Sequence, residues 1–347
     1  MRLRRVRRRD TSGLTLIVQT DEQWIPLAPA LERYQEAGHA ISPELAAAAN
    51  DIIAFLAGGA PLRNQAQEVL AWAQEQGGDW RDTFDPAPML PFQPRSFRDY
   101  SLWEKHMIDA ARGIVRRFMP QMRGVLTLYE SLTGRPFPKL KPKKMFYQVP
   151  VYYMGNHLNV YGEGDTIPWP PYSRALDYEL ELGVIIARTG RNLTPEEGEA
   201  AIGGFVVLND FSARDMQARE FAEGVFGPVV KAKNFANALG PDVVTADEVL
   251  PRFEALRGTV RVNGEVWGQG TTAHPTHGLG DMVAYASWGE TLYPGELLGT
   301  GTFPGCSGVE VGRWLRPGDE VELDIEGIGR LRNRIGEPEE DRLHWLP

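Results

Sequence analysis

The chain has 347 residues, 42% of them hydrophobic, and a formal net charge of −9, enough apolar material for a full core in one large and one small domain. The acidic balance excludes general nucleic-acid binding by the body of the protein, and no apolar run approaches the ~20 residues that span a bilayer. A single cysteine, Cys306, excludes an internal disulfide and fits a reducing cytoplasm.

The chain opens on Met1-Arg2-Leu3-Arg4-Arg5-Val6-Arg7-Arg8-Arg9, where arginines interleaved with Leu3 and Val6 read as an exposed edge strand or as a basic arm. No secretory apolar region follows it. Residues 14–19 and 24–27 are short strands, and helical patterns follow at 28–38, 43–57 and 62–77, with Ser42-Pro43 supplying a cap and a first-turn proline. Gly77-Gly78-Asp79 and the proline-rich Phe84 to Pro91 segment mark a boundary. This predicts a small N-terminal α/β domain over residues 1–90 and a second domain over 91–347. An amphipathic helix is expected at 99–118. After it comes a long series of strands broken by Gly and Pro turns, which 37 glycines and 26 prolines favour. Short helices follow Thr194-Pro195-Glu196-Glu197 and Thr245-Ala246-Asp247-Glu248, both capping-box patterns. Leu315 to Asn333 reads as a glycine-hinged hairpin whose acids face solvent. The fold class is α+β, mainly β.

The chemistry concentrates in the middle. Leu176-Asp177-Tyr178-Glu179-Leu180-Glu181-Leu182-Gly183-Val184-Ile185-Ile186 reads as one strand. Side chains two apart on a strand share a face, so Glu179 and Glu181 project together. Val206 to Asp210 is a second apolar strand ending in an acid. Crowded carboxylates repel unless a proton or a cation lies between them. An oxygen-only set of Glu179, Glu181 and Asp210 suits Mg²⁺, Mn²⁺ or Ca²⁺; the competing reading is a solvated strand edge. Cys306 lies in a Gly-rich turn with no evident His partner, which argues against a nucleophile.

Four blocks in order resemble the fumarylacetoacetate hydrolase superfamily: Asp177 to Leu182, Asn209-Asp210-Phe211-Ser212-Ala213-Arg214-Asp215-Met216-Gln217, Lys233-Asn234-Phe235 with Leu239-Gly240-Pro241, and the closing hairpin. The likeness covers roughly residues 95–336. It implies a rolled mixed β-sheet (β-roll or β-clip) catalytic domain, and a metal held by Asp99, Glu179, Glu181 and Asp210. It also implies a catalytic His106 seven residues after Asp99, with Glu310 orienting it and Lys233 beside the metal. Tyr153, Arg214, Gln217 and Thr302 align with substrate-contacting positions. Two positions depart: Ser101 stands where the fumarylacetoacetate-cleaving enzymes carry a tyrosine, and Asn156 replaces a family arginine. The implied activity is Mg²⁺-dependent (or Mn²⁺- or Ca²⁺-dependent) hydrolysis of a C–C bond in a β-diketone or acylpyruvate, through an enolate and water activated by a His/Glu dyad. Such substrates arise in aromatic catabolism. The alternative is a lyase of the same fold, a 2-oxo acid decarboxylase or a hydratase/isomerase. The implied partner is a small 1,3-dicarbonyl or 2-oxo acid, with no nucleic acid or membrane, in a cytoplasmic homodimer.

Overall fold

The computed structural model describes residues 1–20, 23–225, 227 and 229–345. Its frame is a mixed sheet of eleven strands. The main path runs Trp24–Pro26, Leu14–Gln19, Arg2–Arg8, Asn237–Thr245, Ile202–Asp210, Leu180–Ile186, Leu297–Gly299, Phe97–Tyr100, Tyr152–Gly155. A second sheet of five strands follows the order Glu265–Thr271, Arg257–Val262, Glu320–Ile325, Gly329–Pro338, Thr166–Trp169. The chain is therefore α+β and mainly β, and neither of these sheets closes into a barrel among the described residues.

The period-2 alternation of the central strands builds the layers. Leu180, Leu182, Val184 and Ile186 point into a cluster shared with Val260, Val262, Val321, Leu323 and Ile325 of the second sheet. Ile185, Val206 and Leu208 point the other way, against Leu31, Phe55 and Leu70 from the N-terminal helices. Strands Leu180–Ile186 and Ile202–Asp210 are buried throughout, which is why they read as continuous apolar runs. The acids that end or interrupt these runs are carried into the interior with them.

Several expectations need correction. The arginine-rich start is a strand but not an edge: Arg2–Arg8 pairs with Leu14–Gln19 on one side and Asn237–Thr245 on the other. Leu3 and Val6 are fully buried, on opposite faces, and two of the arginines find carboxylates on other elements. Arg4 pairs with Asp242 at 2.8 Å, and Arg8 reaches Asp10 and Glu32. The helix expected from residue 99 begins at Glu104, because Phe97–Tyr100 is a strand wedged between Leu297–Gly299 and Tyr152–Gly155. The helix over 43–57 is two helices, Pro43–Ala48 and Ile52–Ala57. Asp51 accepts from Ile53 N and Ala54 N and starts the second.

Candidate active site

Three strands of the large sheet deliver the acids, two of them paired and the third one strand further on. Asp99 comes from Phe97–Tyr100, Glu181 from Leu180–Ile186 and Asp210 from the end of Ile202–Asp210. Their carboxylate oxygens lie within 4.8 Å of one another, and all three residues are buried. Glycine makes the approach possible: a Cβ on Gly299, between the strands of Asp99 and Glu181, would sit 2.1 Å from Asp99 Oδ1 and 2.8 Å from Glu181 Oε2. Asp99 Oδ1 and Asp210 Oδ1 are buried without a hydrogen-bond partner. Orphaned, crowded carboxylate oxygens and an oxygen-only donor set fit a hard divalent cation.

Glu179 stands apart from this triad. The strand is interrupted at Tyr178 and Glu179, which lie between Leu176–Asp177 and Leu180–Ile186. The Glu179 carboxylate accepts from Arg214 Nη2 at 2.6 Å and from Lys233 Nζ. Lys233 also donates to Asp210 Oδ2, and the Tyr153 hydroxyl donates to the same oxygen at 2.8 Å. The electrostatics divide accordingly. Burial, and then the neighbouring Asp99 and Asp210, push Glu181 well above the usual carboxylate range. Burial likewise raises Asp210 against the pull of Lys233, and it raises Asp99. For Glu179 burial also opposes charge, but Arg214, Lys233 and His106 overcome it and hold the carboxyl well below its ordinary value. Burial opposes a charged Lys233 too, yet Asp210 and Glu179 raise its pKa above the ordinary lysine value.

His106 sits in the first turn of helix Glu104–Phe118 and is buried. Its Nε2 is 3.6 Å from Glu179 Oε1. Its Nδ1 is 3.1 Å from Glu310 Oε2, close but misaligned for a full hydrogen bond, as is common before substrate binds. Burial works against the imidazolium, and Glu310 followed by Glu179 raises the pKa above its ordinary value. Glu310 rides on the short helix Gly308–Val311 and is fixed by Gly305 N at 3.1 Å and Ser307 Oγ at 2.7 Å.

A cavity of about 420 Å³ collects Asp99, His106, Tyr153, Glu179, Glu181, Arg214, Gln217, Lys233 and Thr302 in one wall. Asp210 and Glu310 lie just behind it, so all eleven expected positions converge. A larger hollow of about 570 Å³ beside His277 and Trp288 has Asp281 as its single acid and no carboxylate cluster. Some side chains are committed differently from expectation. Thr302 Oγ1 reaches Glu181 at 3.5 Å. The Arg214 guanidinium is spent on Asp177, Glu179 and Gln217. Asn156 lies outside the cavity wall, its side chain accepting from Leu158 N, whereas Ser101 lines the cavity with an unpartnered Oγ. Burial drives the Cys306 thiol upward, consistent with an inert cysteine.

Sequence reasoning passed over Asp177. It is fully buried and accepts from Arg214 Nε at 2.7 Å, Gly308 N at 2.7 Å and Val309 N at 3.0 Å. One carboxylate thus anchors both the arginine that clamps Glu179 and the helix that carries Glu310. Its alternation with Glu179 and Glu181 was the available signal.

Residues 133–336, more than half of the chain, match the model for the fumarylacetoacetate (FAA) hydrolase C-terminal domain. The chain belongs to the fumarylacetoacetate hydrolase family. Asp99 and His106 lie upstream of the matched segment, so their place in the site rests on geometry. The mitochondrial oxaloacetate tautomerase Fahd2a of Rattus norvegicus is 33% identical over 192 residues, 54% of this chain and 58% of that protein. The 4-hydroxyphenylacetate degradation bifunctional isomerase/decarboxylase of Escherichia coli is 34% identical over 176 residues, 50% of this chain and 38% of that one. The chain thus spans less than two thirds of either relative. Among solved structures, the fumarylacetoacetate hydrolase of Exiguobacterium antarcticum superposes with a TM-score of 0.61 at 21% identity, covering 97% of this chain and 99% of that one. The 5-carboxymethyl-2-hydroxymuconate delta-isomerase of Mycobacterium smegmatis gives 0.60 at 18% identity, covering 98% and 100%. These two show the shared fold. No described helix is long and apolar enough to cross a membrane.

Proposed function

We propose that this protein is a divalent-metal-dependent enzyme acting on a small 2-oxo acid or 1,3-dicarbonyl, and that it cleaves a C–C bond by hydrolysis. The observation that carries the reading is the His106–Glu310 pair set beside a buried, oxygen-only acid cluster in one cavity. Asp99, Glu181 and Asp210 would hold Mg²⁺ or Mn²⁺, with Glu179 as a further ligand. The bound cation would supply Lewis-acid polarisation of the substrate carbonyl. His106 takes a proton from water at Nε2, while Glu310 holds the Nδ1 side of the ring and favours the imidazolium that results. Lys233 sets a fixed positive charge against the anion that develops on the substrate. Gln217 and Tyr153 present polar groups to the substrate. Arg214, already tied to Asp177, positions Glu179. The same reading takes the protein to be a homodimer, which light scattering at micromolar concentration tests.

A second reading, tautomerisation or decarboxylation of a 2-oxo acid, is favoured by the named activities of the relatives at 33–34% identity. The deciding experiment incubates the protein with acylpyruvates, fumarylacetoacetate-like diketones and oxaloacetate, with and without Mg²⁺ or Mn²⁺, in ¹⁸O-labelled water. Hydrolysis yields two acids, one carrying the label in its new carboxylate. Release of CO₂, or a change of keto–enol ratio alone, assigns the second reading. Turnover that survives exhaustive chelation sinks the metal assignment.

A further inference from the structure

Away from the acids the cavity changes character. The helix that carries His106 also carries Met107, Ala110, Ala111 and Ile114, spaced as one stripe over two turns. An amphipathic helix ordinarily commits its apolar stripe to a core, and this helix has such a stripe elsewhere: Ile108 and Val115 pack with Leu126 and Leu140. Met107, Ala110 and Ile114 belong to none of the apolar clusters and face the cavity instead, joined there by Val151 and Phe221. Phe221 is 73% exposed at the edge of this apolar wall.

The charges are arranged the opposite way. Among the described lining residues the cationic groups are His106, Arg214 and Lys233, and each already lies against a carboxylate at the acid end. None of the described lining residues along the apolar stripe is cationic. A second carboxylate on the substrate would lose water there without gaining a counter-charge, which is costly. An alkyl chain or ring would gain by burial. A volume of about 420 Å³ lies in the range of sites that enclose ligands larger than a three- or four-carbon acid.

We propose that this site takes a 2-oxo acid or 1,3-dicarbonyl whose far end is an uncharged apolar chain or ring, and that it rejects dicarboxylates of the same length. The specificity rests on the functional reading above, since it takes the acid end to hold the oxo-acid head.

The test is a binding ladder measured by calorimetry in Mg²⁺ and again in chelator: pyruvate, 2-oxobutanoate, 2-oxohexanoate and 2-oxooctanoate, with 2-oxoadipate as the length-matched diacid. The dissociation constant in Mg²⁺ is expected to fall about threefold to fourfold per methylene. The constant for 2-oxoadipate is expected to exceed that for 2-oxohexanoate by roughly tenfold or more. Ile114→Asp and the uncharged Ile114→Asn should flatten the ladder, and Ile114→Val should keep it; the wild-type ladder decides alone if a variant does not fold. A flat ladder, or tighter binding of 2-oxoadipate, with Mg²⁺-dependent binding of pyruvate intact, overturns the specificity and leaves the functional reading standing. Binding that ignores Mg²⁺ throughout, or no binding by any member, overturns the functional reading and the specificity with it.

Discussion

Asp177→Asn tests whether the dyad and the Glu179 clamp share one anchor. The substitution keeps shape and removes one charge and half of the acceptor capacity. Oδ1 accepts from Tyr178 N at 2.9 Å and Gly308 N at 2.7 Å, while Oδ2 accepts from Arg214 Nε at 2.7 Å and Val309 N at 3.0 Å. Whichever way the new amide turns, its NH₂ meets two N–H donors. The loss is therefore two buried hydrogen bonds, in one orientation including the one from the Arg214 guanidinium. A neutral bond contributes about 0.5–1.5 kcal/mol and a charged one about 1.5–3 kcal/mol. Removing one partner of a buried ion pair costs about 3–5 kcal/mol. The two routes agree near 3–4 kcal/mol, which at roughly 2 °C per kcal/mol for a chain of this size lowers Tm by about 6–8 °C. Calorimetry reads the stability. Turnover measured well below the new Tm reads the site, and kcat should fall because Gly308–Val311 carries Glu310. The Mg²⁺-dependent gain in Tm should persist, since Asp177 is not part of the Asp99, Glu181 and Asp210 cluster. An unchanged Tm refutes the anchoring argument. A lowered Tm with wild-type turnover refutes the link to Glu310 and leaves Asp177 a purely structural acid.

Glu181→Gln should raise the Tm of the metal-free protein while abolishing its response to Mg²⁺, because the carboxylate is opposed by burial, Asp99 and Asp210; a lower metal-free Tm contradicts this. His106→Ala should retain Mg²⁺-dependent stabilisation and lose hydrolysis by roughly 10²–10⁴-fold. A histidine that only packs would lower Tm and leave turnover per folded molecule unchanged. Glu130 is held below its ordinary pKa by Arg112, with Phe137 N also donating to it. Its stabilisation is thus present in full above the ordinary carboxylate range and disappears as pH falls through the lowered value. Glu130→Gln should then cost up to about 1 kcal/mol at neutral pH and nothing in strong acid, and a denaturation series whose wild-type and variant curves stay separated in acid would refute it.

The acids were legible because strand periodicity and an apolar context speak through local spacing. Glu181 and Asp210 needed only that buried strands carry them inward, and they do. Local spacing could not show that Glu179 lies at a strand break and is claimed by Lys233, 54 residues away in sequence. The error at 99–118 has a similar origin. Phe97, Asp99 and Tyr100 precede a true amphipathic helix without a Gly or Pro between, and only the flanking strands from residues 152–155 and 297–299 make that segment extended. Arginines on Arg2–Arg8 suggested an edge because Asp242 and Glu32, which neutralise them, come from other elements. Asp177 was visible as a residue and invisible as an anchor, since its meaning depends on backbone N–H groups at 308 and 309.

Charge accounts for the unusual sign of the Glu181 prediction. Six buried carboxylates meet in this region, from Asp99, Asp177, Glu179, Glu181, Asp210 and Glu310. Among the described residues, Arg214, Lys233 and a protonated His106 are the cations that oppose them. The cations are unevenly shared: Arg214 serves Asp177 and Glu179, His106 lies between Glu310 and Glu179, and Lys233 bridges Glu179 to Asp210. Asp99 and Glu181 make no ion pair among the described residues. Such a cluster has two remedies, protons or an added cation. The upward shifts at Asp99, Glu181 and Asp210 favour the first remedy, and burial shifts Asp177 the same way against the pull of Arg214. A structural acid network would have been built with its counter-charges in place. This one leaves Asp99 and Glu181 without a counter-charge where their oxygens converge with those of Asp210, and neutralising Glu181 should therefore stabilise the empty protein and disable the filled one.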